Sequence, residues 1–207
     1  MVTDCKCRLP VCVYTIGILC PWECLVSMNG TVQTINNFLP VEIHQNISDT
    51  LVGLHFPYSY LDAVASPTDT EGFAFGHTLF NDGELDSDDY EIVHRKHGRL
   101  FNTIGIPLVS RISMSHLLRM KVNCYPRQTQ NESEVVVGGM HVDFEIPHWV
   151  GIYCVNTCNG YTLLETTGEK LPSVANTLHI FEGSSRHCSV NQSDEKLRLN
   201  INIDWIG

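Results

Sequence analysis

The sequence predicts an α+β fold: a sandwich or jelly roll of short antiparallel strands built from the second half, with helices of the first half flanking it. Three observations carry this. From Leu118 onward, short runs of alternating polar and apolar residues are punctuated by Gly and Pro. Before that point, apolar residues recur at spacings of three and four. The 207 residues, 43% of them hydrophobic, suffice for one sizeable core.

The elements follow in chain order. Residues 1–27 hold five of the nine cysteines: Cys5, Cys7, Cys12, Cys20 and Cys24. No pair of CxxC knuckles is present, which weighs against a zinc ribbon, although zinc binding stays open. Pro10 and Pro21 break the apolar stretch after Lys6 and Arg8, and no small-x-small cleavage site follows, so a signal peptide fits poorly. We expect a poorly ordered extension of reduced thiols, then one domain over residues 28–207. Residues 31–38 alternate weakly and stop before Pro40, as an early strand does. Residues 42–54 place Ile43, Ile47, Leu51 and Leu54 on one helical face. Residues 66–89 read mostly as loop, with Pro67, Gly72, Gly76 and Gly83. Their acidic cluster, Asp82, Glu84, Asp86, Asp88 and Asp89, lacks EF-hand spacing and reads as solvated surface. Residues 106–117 are a helix candidate through Ile106, Val109, Ile112 and Ser113. Strands are expected at 119–125, at 135–137 leading into 140–144, and at 149–155, 160–164, 177–181 and 196–205.

Thirteen basic against twenty-three acidic residues give a net charge of −10. That balance disfavours non-specific nucleic-acid binding and docking on anionic membranes. No apolar run approaches the roughly 18–20 residues of a membrane-spanning helix.

One constellation carries chemistry. In a strand, positions i and i+2 share a face, so His141 and Asp143 converge. His187, after the turn residues Gly183, Ser184, Ser185 and Arg186, is the best third ligand. Two imidazoles and a carboxylate form the facial set of non-haem Fe(II) oxygenases, with positions left open for cosubstrate and oxygen. Arg198 lies in the last strand and faces opposite to Leu197 and Leu199. If those face an outer core, its guanidinium points into the barrel and needs an anion there. The carboxylate of a dicarboxylic acid suits it. Asn200 shares its face and either lines the same pocket or bonds backbone. Tyr125 is either a pocket residue or a core aromatic. His179 and His148 are rival ligands. His179 also reads as an ordinary paired histidine, and His148 as a pocket-rim residue. Cys188 points away from His187.

The pattern His141-x-Asp143, His187, Arg198 resembles the signature of Fe(II)/2-oxoglutarate-dependent dioxygenases. Residues Lys121 to Pro126, His141 to Phe144, Ile152 to Asn156, Gly160-Tyr161-Thr162, Val174 to Asn176, and Phe181 to Gly183 resemble its prolyl-hydroxylase-like branch. They are closest to the short oxygenases encoded by bacteriophages. The likeness covers about residues 117–205. It implies a double-stranded β-helix (jelly-roll) core. It implies His141, Asp143 and His187 as Fe(II) ligands, Arg198 on the distal carboxylate of 2-oxoglutarate, and Tyr125 reaching the same cosubstrate. It implies O2 as the oxidant, with release of succinate and CO2. The implied substrate is a protein, peptide or small molecule, and the implied location is cytoplasmic, that of the host cell if phage-encoded. A carboxylate at 143 favours hydroxylation over halogenation. There is one departure: relatives often carry a second tyrosine where this chain has Cys154. The alternative from another class is a non-catalytic cupin-like jelly roll that binds metal or sugar.

Overall fold

The last strand shows how the sequence builds the architecture. In β10 (Leu197–Ile206), Leu199, Ile201, Ile203 and Trp205 alternate with Arg198, Asn200, Asn202 and Asp204. The first set is buried in a cluster with Ile47, Leu51, Ile104 and Leu108 from the helices. The second set faces the barrel interior, where Val150, Ile152, Cys154, Leu164, Leu171 and Phe181 form a smaller cluster. A strand covered on both faces in this way gains about 1.5–3 kcal/mol per large apolar side chain removed from water, which holds the polar set in place.

The protein is described by a computed structural model covering residues 32–62, 72–82 and 98–207. The Cys-rich extension, the boundary expected at residue 28 and most of the acidic cluster lie outside the described residues. The strands are β1 (Gln33–Asn36), β2 (Ser59–Leu61), β3 (Ala74–Asn81), β4 (His116–Pro126), β5 (Trp149–Cys154), β6 (Tyr161–Leu164), β7 (Lys170–Pro172), β8 (Thr177–Glu182), β9 (His187–Val190) and β10. Helix α1 is Val41–Val52. A π-helical turn, Phe101–Gly105, runs into the short α2, Ile106–Val109. Seven strands form one sheet in the order β1-β8-β5-β10-β4-β3-β2, and three form a second in the order β7-β6-β9. Every pairing is antiparallel. The two sheets enclose the smaller cluster, and the helices cover the outer face of the larger one. This is the expected α+β jelly roll. Among the described residues no helix is long and apolar enough to cross a membrane.

Four expectations need correction. The helix expected over 106–117 stops at Val109. Beyond it, Ser115 N–H donates to Ile206 O at 2.8 Å, and Leu117 pairs with Trp205, so cross-strand bonds claim that stretch. Residues 74–81 are a strand rather than loop. A register shift between Thr78 and Phe80 breaks the alternation that would have revealed it. Residues 135–144 form no strand and make only isolated bridges, Val137 with Val190 and His141 with His187. The short strands β2 and β7 were not anticipated.

Candidate metal centre

His141 and Asp143 do not converge through the pleat of a strand. Reciprocal backbone bonds hold His141 against the first residue of β9: His141 N–H to His187 O at 3.0 Å, and His187 N–H to His141 O at 2.9 Å. The two rings lie 4.7 Å apart between centroids. Each imidazole is oriented by its Nδ1, which sits 3.0 Å from Gly139 O in His141 and 3.1 Å from Ser185 O in His187. A carbonyl can only accept, so each Nδ1 carries a proton and Nε2 is the nitrogen that each ring turns toward a metal. Those Nε2 atoms lie 3.9 Å and 3.4 Å from the two carboxylate oxygens of Asp143. One ligand atom from each of the three residues falls within 4.8 Å of the others. Two imidazoles and a carboxylate suit a divalent first-row metal.

Asp143 is itself held. Arg119 Nη2 donates to Oδ1, and Asn202 Nδ2 donates to Oδ2 at 3.2 Å. Arg119 Nε also donates to Asp204 Oδ2 at 3.0 Å, so one guanidinium bridges two buried carboxylates. Burial would raise the Asp143 carboxyl. The His187 hydrogen bond and the Arg119 charge outweigh it and hold the group well below the usual carboxylate range. Asp204 moves the other way, pushed up to about 7 by burial and by the neighbouring Asp143 charge. Burial lowers His141.

Arg198 is fully buried (0% exposed). Its Nη1 donates to Ser189 Oγ and its Nη2 to Thr162 Oγ1, the latter at 3.1 Å. Tyr125 lies directly opposite in register, with its ring centroid 5.3 Å from the guanidinium carbon. The Tyr125 hydroxyl meets Ser189, and burial raises its pKa. No described carboxylate pairs with Arg198, and its Nε has no partner. The chain makes room for this cation: a Cβ on Gly160 would sit 2.8 Å from Arg198 Cδ and 3.0 Å from Val190 O. Arg198 and Asn202 share one face four residues apart, about 13 Å between Cα atoms.

The remaining candidates divide. Asn200 lies between Arg198 and Asn202 and accepts from Asn123 Nδ2 at 3.0 Å, so it bonds a side chain rather than backbone. His179 has both ring nitrogens engaged, Nδ1 with Thr34 Oγ1 at 2.9 Å and Nε2 with Pro172 O at 3.0 Å, and is a paired structural histidine. His148 is buried rather than a rim residue, packed where a Cβ on Gly183 would clash with its ring at 2.2 Å. Cys154 faces the inner cluster, with Sγ 3.8 Å from Pro172 O. The adjacent Tyr153 points to the opposite side, bonded to His44 and Asn176, and does not replace the missing tyrosine. Sequence reasoning missed Arg119, Asn202, Asp204, Thr162 and Ser189. The signal for Asn202 and Asp204 was their period-two spacing from Arg198. Arg119 stood six residues before Tyr125 on the same face.

No family model matches this chain, and no curated protein matches it. Solved structures do. A prolyl hydroxylase from Trichoplax adhaerens, in complex with a hypoxia inducible factor oxygen degradation domain peptide fragment, is similar at TM-score 0.56 and 15% identity, over 86% of this chain and 84% of that one. SnoN, a non-heme alpha-ketoglutarate-dependent epimerase from nogalamycin biosynthesis, is similar at TM-score 0.50 and 14% identity, over 84% of this chain and 77% of that one. At this identity the likeness establishes the shared jelly-roll fold.

Proposed function

We propose that this chain is an Fe(II)- and 2-oxoglutarate-dependent oxygenase. In this reading residues 28–207 are the catalytic domain, and they hydroxylate a protein, peptide or small molecule with release of succinate and CO2. The affinity to short phage-encoded oxygenases and a cytoplasmic setting belong to the same reading. The observation that supports it best is that two features meet the inner side of β10: a two-histidine, one-carboxylate cluster joined to Asn202, and a fully buried guanidinium at Arg198 with no counter-ion among the described residues. A buried cation left unpaired is unfavourable by several kcal/mol, so a site that keeps one is built for an anion.

His141, Asp143 and His187 would hold the metal. Arg198 would take the distal carboxylate of 2-oxoglutarate through its free N–H edge, with Tyr125 beside it and Asn200 further along the wall. Arg119 and Asn202 hold Asp143 in place, so the donor atoms need not reorganise on binding. Val150, Ile152 and Phe181 exclude water from the far side of the pocket. Once bound, iron and the oxo acid together supply the oxygen activation, one oxygen atom ending in succinate and the other in the substrate.

The test is anaerobic titration of the protein with Fe(II) and 2-oxoglutarate, followed in the visible for the weak metal-to-ligand charge-transfer band. The wild type should develop the band and Asp143→Ala should not. No band in the wild type, or an undiminished band in the variant, refutes the proposal. Succinate release under oxygen distinguishes an enzyme from a binding module.

A further inference from the structure

Three cations stand on the inner face of the β4–β10 pair: Arg119, Lys121 and Arg198. Arg119 is paired with Asp143 and Asp204. Arg198, in the function proposed above, is committed to the cosubstrate. Lys121 remains. Among the described residues no hydrogen bond or ion pair engages its ammonium, although the residue is only partly exposed.

Its placement is built rather than incidental. Lys121 pairs in register with Asn202 on one side and Thr78 on the other. Its stem crosses the backbone at Gly76, where an added Cβ would lie 3.2 Å from Lys121 Cε and 2.9 Å from Leu61 Cδ1. The missing side chain at 76 thus leaves a channel that the lysine fills. Its register partner Asn202 donates to Asp143, which ties the lysine's position to the metal cluster. Burial and the Arg119 charge work against its protonated form, while Asp143 and Asp204 favour it. A second group there also lacks a partner. Asn202 is 7% exposed, and its Oδ1 has no donor. Its amide orientation is fixed, because Asp143 can only accept and therefore claims Nδ2.

We infer that Lys121 is the substrate-recognition cation of this site and that the substrate carries a carboxylate or similar anionic group, with a hydrogen-bond donor for Asn202 Oδ1 nearer the metal. The inference rests on the proposed oxygenase reading. A desolvated ammonium with no ion-pair partner among the described residues selects for an anion and discriminates against a neutral isostere, because the neutral group leaves the charge unpaired. The protein's own charge of −10 works against anions in general, so the selectivity has to be local.

The test loads the full chain with Mn(II) and N-oxalylglycine, filling the metal and Arg198 positions, and adds trifluoroacetate as a probe anion and trifluoroacetamide as its neutral counterpart. The readout is paramagnetic enhancement of fluorine relaxation. Trifluoroacetate should be relaxed more strongly than the amide. That excess should fall at least threefold in Lys121→Met and persist in Lys121→Arg, with oxalylglycine affinity unchanged in both. Equal relaxation of acid and amide, or an excess that survives Lys121→Met, overturns the inference. So does a loss of oxalylglycine affinity in Lys121→Met, which would assign the lysine to the cosubstrate. If wild-type protein binds neither Mn(II) nor oxalylglycine, the oxygenase reading itself has failed, a result separate from these.

Discussion

If Arg198 binds the cosubstrate as proposed, replacing it with Met should separate stability from cosubstrate binding. Bringing an ion into the interior costs several kcal/mol. The two hydroxyl partners, Thr162 and Ser189, return about 3–6 kcal/mol together, at about 1.5–3 kcal/mol for each bond to a charged group. The two terms nearly cancel, and Met fills much of the vacated volume. Unfolding free energy without cosubstrate should therefore change by no more than about 1 kcal/mol, or about 2–4 °C in Tm for a chain of this size. A structural ion-pair member would behave differently, since stranding its partner costs about 3–5 kcal/mol. Cosubstrate affinity has no such cancellation. Truncating one side of a buried charge pair loses about 2–5 kcal/mol, which is about 30- to 4,000-fold in Kd. Urea melts of the metal-free protein and calorimetric titration of the Mn(II) form with N-oxalylglycine measure the two quantities. A loss of stability above about 3 kcal/mol, or unchanged oxalylglycine binding, would refute the reasoning.

Other outcomes follow from the same contacts. Arg119→Met removes the bridge between Asp143 and Asp204, and metal affinity should drop about 10- to 100-fold; Asp204→Asn should weaken metal less, and the double variant no more than Arg119→Met alone, as equilibrium dialysis with Mn(II) or Fe(II) can show. Additive losses would mean Asp204 does not act through Arg119. Asn176 has a φ of 59°; its side chain bonds both the N–H and the C=O of Leu39 and accepts from Tyr153. Asn176→Ala should destabilise the protein by about 2–4 kcal/mol in denaturant melts, with little change in metal affinity; a loss below half a unit would remove Asn176 as the clamp between α1 and the sheet. Burial lowers His179 from 6.5, so its neutral form stabilises the fold fully above pH 6.5 and that contribution is lost as pH falls through the lower folded value. The wild type should therefore lose more stability than His179→Gln between pH 7.5 and 5.5 (a range of roughly one unit either side of an ordinary imidazole), and parallel pH profiles would contradict this.

What was legible in the sequence depended on periodicity. The last strand announced both its faces, because its apolar and polar residues alternate without interruption from Leu197 to Asp204. His187 and the oriented Arg198 followed from that alternation and from the turn at Gly183. Helix α1 was readable in part: Ile47 and Leu51 are buried four apart, whereas Ile43 is exposed and Leu54 lies past the helix end in solvent. Elements without a period were hidden. The bulge in β3 cancels its alternation. The segment carrying His141 and Asp143 has apolar valines like a strand, yet only a single bridge joins His141 to β9. The i, i+2 argument therefore joined a pair that the structure also brings together, though through a geometry the backbone does not adopt. Arg119 was hidden for another reason: a cation two positions before Lys121 on a half-buried strand reads as solvent-facing, and only the approach of Asp143 from a distant loop shows that it is inside.

The two-faced last strand also governs which genetic lesions the protein can survive. Exchanges among Leu, Ile and Val at 199, 201 and 203 alter volume slightly and leave the polar inner wall alone. Inserting or deleting one codon between 198 and 204 is different in kind. Every residue downstream would swap sides, sending oil toward the His141, Asp143 and His187 cluster and amides toward the helices. Lineages descending from this chain should thus vary freely in spelling along that stretch while keeping its length fixed.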